Sequence, residues 1–192
     1  MAPAKPATLM ASNEDRLENL VPIRFGRMLL NPFAYLRGSA PVMTVDLAGL
    51  PTTGVTVQLC GDCHLMNFGM FATPERHVVF GLNDFDETYP GPWEFDVKRL
   101  AASFAVAAAD VGMGKKQALN SIYALISSYR SNLWRHVAQS PLEIWYDTIG
   151  VQEAVDDAPD KKARETRQKL VEKAQQRVGE QLIPKLLQKD GE

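Results

Sequence analysis

The sequence has little of what builds an extracellular, membrane-bound or nucleic-acid-binding protein. Two cysteines, Cys60 and Cys63, and three histidines occur in 192 residues. A disulfide framework needs more cysteines at wider spacing, so a stapled secreted domain is excluded. No apolar run approaches the ~20 residues that span a bilayer. The longest candidate, residues 100–111, is mostly alanine and is followed by Gly112 and two lysines. The N-terminal stretch is rich in Ala and Pro and lacks the apolar centre of a secretion signal. An excess of one charge is also missing. Lys and Arg number 21 against 23 Asp and Glu, a net charge of -2, and no basic stretch precedes the C-terminal helix. Binding to nucleic acid through its phosphates is therefore not expected. These absences lead to the expectation of a cytoplasmic protein without membrane or nucleic-acid partners.

What remains is a composition of 45% hydrophobic and 23% charged residues, which suits a globular chain able to bury a core. Residues 1–13 read as a disordered tail, because they offer little to bury, and residues 14–192 as a single domain. A helix is expected over residues 16–30, bent early by Pro22 and stopped at Asn31-Pro32. A short aromatic segment, residues 33–37, ends at Gly38. Residues 55–60 and 77–82 read as strands that pair as a hairpin across a turn at residues 73–76. Beyond Pro92 the pattern turns helical. Val97, Leu100, Ala101, Phe104, Ala108 and Val111 fall on one helix face, closed by Gly112. A second helix over residues 115–139 carries Leu119, Ile122, Ile126, Tyr129, Leu133 and Val137. Ser140-Pro141 caps a third. A turn at 156–160 precedes a charged helix with a thin stripe of Val171, Ala174, Val178 and Leu182. The fold class expected is α+β, dominated by helices, with a small β-hairpin bearing the site.

Chemistry concentrates between residues 62 and 87. Gly61-Asp62-Cys63-His64-Leu65-Met66-Asn67 and Asn83-Asp84-Phe85-Asp86-Glu87 place Asp, Asn, His and Glu in loops beside strands. Phosphoryl transfer to a hydroxyl needs a carboxylate to orient the attacking group and hard oxygen ligands to hold Mg²⁺. Asp62 and Asn67 are five residues apart, and Asp84-Phe85 follows a strand, which is the kinase arrangement of base and metal ligands.

Gly-Asp-x-His-x-x-Asn, then a strand and Asp-Phe, resembles the aminoglycoside and choline phosphotransferase branch of the kinase-like fold. The resemblance implies Asp62 as base, Asn67 and Asp84 as metal ligands, and Asp96 as an anchor beneath the catalytic loop. Asp86 stands where kinases usually have Gly and is taken as a further metal ligand. His64 joins Asp62 as a catalytic candidate, one that orients the loop by hydrogen bonds rather than binding metal. Over a longer span, Phe33-Ala34-Tyr35-Leu36-Arg37-Gly38, the block from Gly61 to Gly69, Asn83 to Glu87, and Gly91-Pro92-Trp93-Glu94 through Arg99-Leu100-Ala101 resemble the bacterial DUF2252 domain proteins. The two resemblances together imply the catalytic lobe of a kinase-like enzyme that uses ATP and Mg²⁺ on a small-molecule or protein hydroxyl. No Gly-x-Gly-x-x-Gly and no strand lysine occur in the chain. The family resemblance therefore implies an N-terminal fragment of a longer protein, with a second, nucleotide-clamping lobe elsewhere. Arg37, after an apolar segment, is the candidate for binding the phosphates, and an ordinary ion pair is its plainer reading.

Other readings compete. A metal-dependent phosphoester hydrolase using Asp62, His64, Asp84 and Asp86 needs no second lobe. A catalytically inactive binding module is the third. Cys60-Gly61-Asp62-Cys63-His64 matches a haem-attachment pattern, but that chemistry needs export. A zinc site would need two more ligands than the cysteine pair provides. Cys60 is read as a core strand residue and Cys63 as a small loop residue. Glu87 and Glu94 stand as carboxylates behind the metal ligands.

Overall fold

A computed structural model of the chain describes residues 5–73, 77–158 and 160–175. In chain order these form α1 (Lys5–Ala11), a short tight turn (Glu18–Leu20), α2 (Val21–Met28), α3 (Pro32–Gly38), α4 (Ala40–Ala48), β1 (Thr56–Leu59), β2 (Phe68–Ala72), β3 (Val78–Leu82), β4 (Tyr89–Pro92), α5 (Glu94–Asp110), α6 (Lys115–Val137), α7 (Pro141–Tyr146), β5 (Ile149–Gly150), α8 (Val151–Asp156) and α9 (Lys161–Gln175). The α+β, helix-dominated class is as expected. The described residues gather into two compact units, one within residues 1–67 and 84–137, the other within residues 68–83 and 138–192.

In the first unit, proline and glycine divide the N-terminal segment more finely than the sequence suggests. Part of the stretch read as a tail is helical, in α1. The helix expected from residue 16 begins only at Val21, with Pro22 in its first turn, where a missing N–H costs nothing. Asn31 caps α3 by accepting a 2.7 Å hydrogen bond from Ala34 N, so the aromatic segment is a helix. α4 was not foreseen; its core-facing residues are Ala40, Val42 and Leu47. Leu47, Leu59 and Phe95 form the buried centre, with Met43 and Tyr89 packed against it.

The expected pairing of residues 55–60 with 77–82 is not found. β1 pairs antiparallel with β4, Leu59 opposite Tyr89 and Thr56 opposite Pro92. Two prolines made residues 89–92 an unpromising strand. Trp93 N donates to Val55 O, so residues 93, 91 and 89 carry the ladder, and Pro90 and Pro92 lack their N–H groups on the other edge. The consequence is geometric. The end of β1 lies beside the start of β4, so the loop after β1 and the turn before β4 leave the ribbon at the same end. Gly61, at φ 85°, lies so close to this turn that a Cβ there would stand 1.9 Å from Glu87 O.

α5 buries a different face from the one periodicity suggests. Glu94, Phe95, Arg99, Ser103 and Ala108 are its buried residues, whereas Val111 is exposed. Three of these five are polar or charged. Gly112, at φ 71°, follows its end as expected. α6 has no buried residue. Of its anticipated face, Ile122 is half-buried and Leu119, Ile126, Leu133 and Val137 are exposed, as are Tyr123 and Trp134. Tyr129 stacks on Trp93 with ring centroids 5.9 Å apart.

The second unit is an antiparallel sheet in the order β2-β3-β5. β2 directly precedes β3 in the chain and takes the place beside β3 that was expected for β1. Phe68 and Phe80 stack across this pair. Val155 and Val171 form a small buried cluster with Met70 and Val78. Ser140 and Glu143 cap α7 reciprocally, as the Ser-Pro signal implied. Val171 of the expected α9 stripe is buried; Val178 and Leu182, and residues 74–76 of the expected turn, lie outside the described residues.

Two glycines with positive φ separate crowding from backbone strain. At Gly54, φ 80°, no atom lies within 4 Å of an added Cβ. Gly54→Ala should lose about 1 kcal/mol, the cost of the left-handed conformation. Gly61→Ala should lose about 3 kcal/mol or more, because the Glu87 backbone must also move. Denaturant unfolding of both variants checks this, and equal losses would contradict the close crossing at Gly61.

Candidate functional site

The loop after β1 is held mainly by α5. Asp96, in the first turn of α5, accepts hydrogen bonds from Cys60 N (2.8 Å, Oδ2) and Gly61 N (3.2 Å, Oδ1). A carboxylate at this helix position is also favoured by the helix dipole. Two turns on, Ser103 is completely buried. Its hydroxyl donates to Leu100 O at 2.7 Å and accepts from Leu65 N at 3.0 Å. Between them Arg99 reaches Asp62. Arg99 Nε donates to Asp62 Oδ1 at 2.6 Å, and Nη2 contacts the same oxygen. Nη2 also donates to Leu36 O at 2.7 Å, which ties α3 to the site. Arg99 is 3% exposed and Asp62 9%, so water contributes little to either charge. Such a pair is stable only as a pair, since removing one partner leaves a buried charge.

His64 and Asn67 complete the loop. His64 is 1% exposed, with Phe33 edge-on to its ring. Met66 N donates to His64 Nδ1 at 3.2 Å. The ring proton therefore sits on Nε2, which lies 3.5 Å from Asp62 Oδ2. Burial pushes the imidazole below its ordinary pKa. Asp62 opposes this, while Arg37 and Arg99 add to it. His64 is thus a neutral residue that orients Asp62. Asn67 donates from Nδ2 to Asp62 O at 2.8 Å, and its own N–H bonds His64 O at 2.9 Å. This leaves the Asn67 side-chain oxygen as the atom a cation would use.

The turn before β4 brings the remaining acids. Asp84 Oδ1 accepts from Asp86 N at 3.2 Å and Thr88 N bonds Phe85 O at 3.1 Å, the local geometry that Asp favours. The Thr88 hydroxyl donates to Leu59 O at 2.6 Å, fastening the turn to the end of β1. Asp84 and Asp86 are exposed. Glu87 is close enough to feel them. Burial, then Asp62 and Asp84, with Asp86 adding, raise its carboxyl above the usual range, against Arg16. Arg16 Nη2 stands 4.0 Å from Glu87 Oε1. Four carboxylates, those of Asp62, Asp84, Asp86 and Glu87, therefore share one neighbourhood.

The family model described as an uncharacterized protein conserved in bacteria, DUF2252, matches residues 16–192. The chain belongs to the DUF2252 family. No curated protein and no solved structure matches it.

In this DUF2252 chain, Asp62, His64, Asn67, Asp84 and Asp86 lie on two segments that the β1–β4 ribbon juxtaposes. Arg37 is exposed on α3, near enough to His64 to disfavour its protonation. Sequence reasoning gave no separate role to Arg99 or Ser103. The signal was a charged residue three positions after Asp96, on a helix face otherwise read from apolar spacing. Glu94 proves to be a brace, its Oε1 accepting from Thr53 N at 2.6 Å.

The lowered His64 pKa fixes the sign of a pH effect. Between its folded value and the ordinary 6.5, the unfolded chain binds more protons, so stability rises with pH. The contribution is full above about pH 6.5 and is lost as pH falls toward the folded value. His64→Gln should flatten this part of a denaturation-midpoint profile taken from about pH 5 to 8. An unchanged profile would show that His64 is not held neutral. Glu87, raised instead, acts in the opposite sense at lower pH, as stability falls when pH rises through its ordinary range.

Proposed function

We propose that the chain is the metal-binding and catalytic segment of a Mg²⁺-dependent, ATP-using phosphotransferase of kinase-like type, acting on a small-molecule or protein hydroxyl. The observation that carries this reading is the juxtaposition made by the β1–β4 ribbon. It sets a loop bearing Asp62 and Asn67 against a turn bearing Asp84 and Asp86, with Glu87 sensing three of these carboxylates.

The donor set suits a hard cation. Asp84, Asp86 and the Asn67 amide oxygen are oxygen ligands of the kind Mg²⁺ prefers. When bound, Mg²⁺ would neutralise charge on transferring phosphate oxygens. Arg37 makes no hydrogen bond or ion pair among the described residues, so its guanidinium is open to a phosphate. Asp62 supports the acceptor. Arg99 fixes Oδ1 and leaves Oδ2 facing neutral His64, so Oδ2 is the oxygen that would receive the hydrogen bond of an incoming hydroxyl. A base held this way is positioned before the acceptor arrives, which lowers the entropic part of the barrier.

Calorimetric titration with Mg²⁺ in the presence of ATP tests the reading. Binding should be saturable and weakened at least tenfold, about 1.4 kcal/mol, in Asp84→Ala. Unaltered binding in that variant would overturn the metal assignment. Turnover of a model phosphoester with Mn²⁺ and no nucleotide would replace the phosphotransferase with a hydrolase.

A further inference from the structure

The two cysteines belong to a feature that neither the acidic turn nor the Asp62 pair uses. Cys60 and Cys63 are free thiols, both buried. Their sulfurs and an Asp96 carboxylate oxygen all lie within 4.8 Å of one another. We propose that Cys60, Cys63 and Asp96 form a binding site for a thiophilic divalent cation of the zinc type, which would clamp the 60–67 loop to the first turn of α5.

The geometry is close to what such an ion requires. With zinc–sulfur bonds of about 2.3 Å and zinc–oxygen bonds of about 2.0 Å in a tetrahedron, neighbouring ligand atoms stand roughly 3.5–3.8 Å apart. The three atoms, all within 4.8 Å of one another, therefore stand at most about an ångström beyond this spacing. Gly61 at φ 85° bends the chain between the cysteines, which lets both sulfurs face the same side of the loop. Asp96 is already oriented by Cys60 N and Gly61 N. Each carboxylate oxygen has a second lone pair, so these bonds do not bar it from a metal. Such backbone donors behind a ligand are the usual means of aiming it.

The chemistry separates this site from the acidic turn. Two sulfurs select a soft or borderline cation over Mg²⁺. Binding replaces two S–H protons: M²⁺ and two thiols give a metal dithiolate and two released protons. The two thiolates and Asp96 carry three negative charges against the two positive charges of the ion. The hydrogen bond with Cys60 and burial hold the Cys63 thiol well above its ordinary pKa, with Asp96 adding and Arg99 opposing, so the cation itself has to displace these protons. A fourth ligand position is left for water. A Cys-x-x-Cys spacing alone provides two ligands. The third comes from a helix, at Asp96, 33 residues beyond Cys63.

The test uses the whole chain, reduced with a phosphine so that no added thiol competes. Titration with Co²⁺ should give intense visible bands of a four-coordinate ion and a thiolate-to-cobalt charge-transfer band, saturating at one equivalent. Excess Mg²⁺ should not reduce them. Cys60→Ser and Cys63→Ser should each remove at least half the charge-transfer intensity, with far-ultraviolet circular dichroism showing that the fold persists. Zn²⁺ should displace Co²⁺ from the wild type and protect both thiols from alkylation, a readout that needs no variant. Only the weak bands of hydrated Co²⁺ with the wild type, or full intensity in Cys63→Ser, would overturn the proposal.

Discussion

A single buried ion pair, Asp62 with Arg99, sets the conditions for everything around it. The carboxylate lies in a loop and the guanidinium on α5, 37 residues later. Neither meets enough water to be stable alone. The loop must therefore keep to the helix, and the helix must turn a charged face inward where periodicity would place aliphatic residues. That requirement explains why Arg99 and Ser103, rather than Phe104 or Val111, are buried in α5. His64 is held neutral mainly by its burial, with the charges of Arg37 and Arg99 adding to it against Asp62. A second cation against Asp62 would add to the charge of Arg99 in a place with little solvent to screen it.

Around this pair the loop is held at successive points along one helix. Asp96 takes the N–H groups of residues 60 and 61, Arg99 takes the Asp62 side chain, and Ser103 takes the N–H of residue 65. Their spacing of three and four keeps them on one side of the helix. The β1–β4 ribbon supplies the other constraint, since it leads the acidic turn back to the end from which the loop departs. Residues 61–64 and 67 of the loop are buried, while Asp84 and Asp86 remain open to solvent. A rigid half and an accessible half are what a site needs if it is to recruit a cation and position a hydroxyl.

Local signals carried much of the fold. The Ser140 capping box, the Asn31-Pro32 boundary, the Gly112 stop and the positions of β1 and β3 are each encoded within a few residues, and each is found. Strand partners were not legible. β1 meets a Tyr-Pro-Gly-Pro segment whose fitness as a strand depends on which edge its prolines face, and that is decided only by pairing. The face of α5 was misread for a related reason. Apolar spacing ranks Arg99 as surface, and only the distant Asp62 makes its burial stable. In the site, Asp62, His64, Asn67 and Asp84 were visible as a spacing pattern, and Asp96 followed from the same resemblance. The partners that hold them, Arg99, Ser103 and the Leu36 carbonyl, come from three-dimensional proximity and leave no mark at fixed sequence distance.

The most direct measurement is a double-mutant cycle on stability, with Asp62→Asn, Arg99→Met and both together, read by denaturant unfolding. If the pair holds the loop to α5, each single variant loses about 3–5 kcal/mol, because the remaining partner is left buried without compensation. The double variant then loses clearly less than the sum, with a coupling of about 1–3 kcal/mol. Losses that simply add would contradict the dependence of the site on this ion pair.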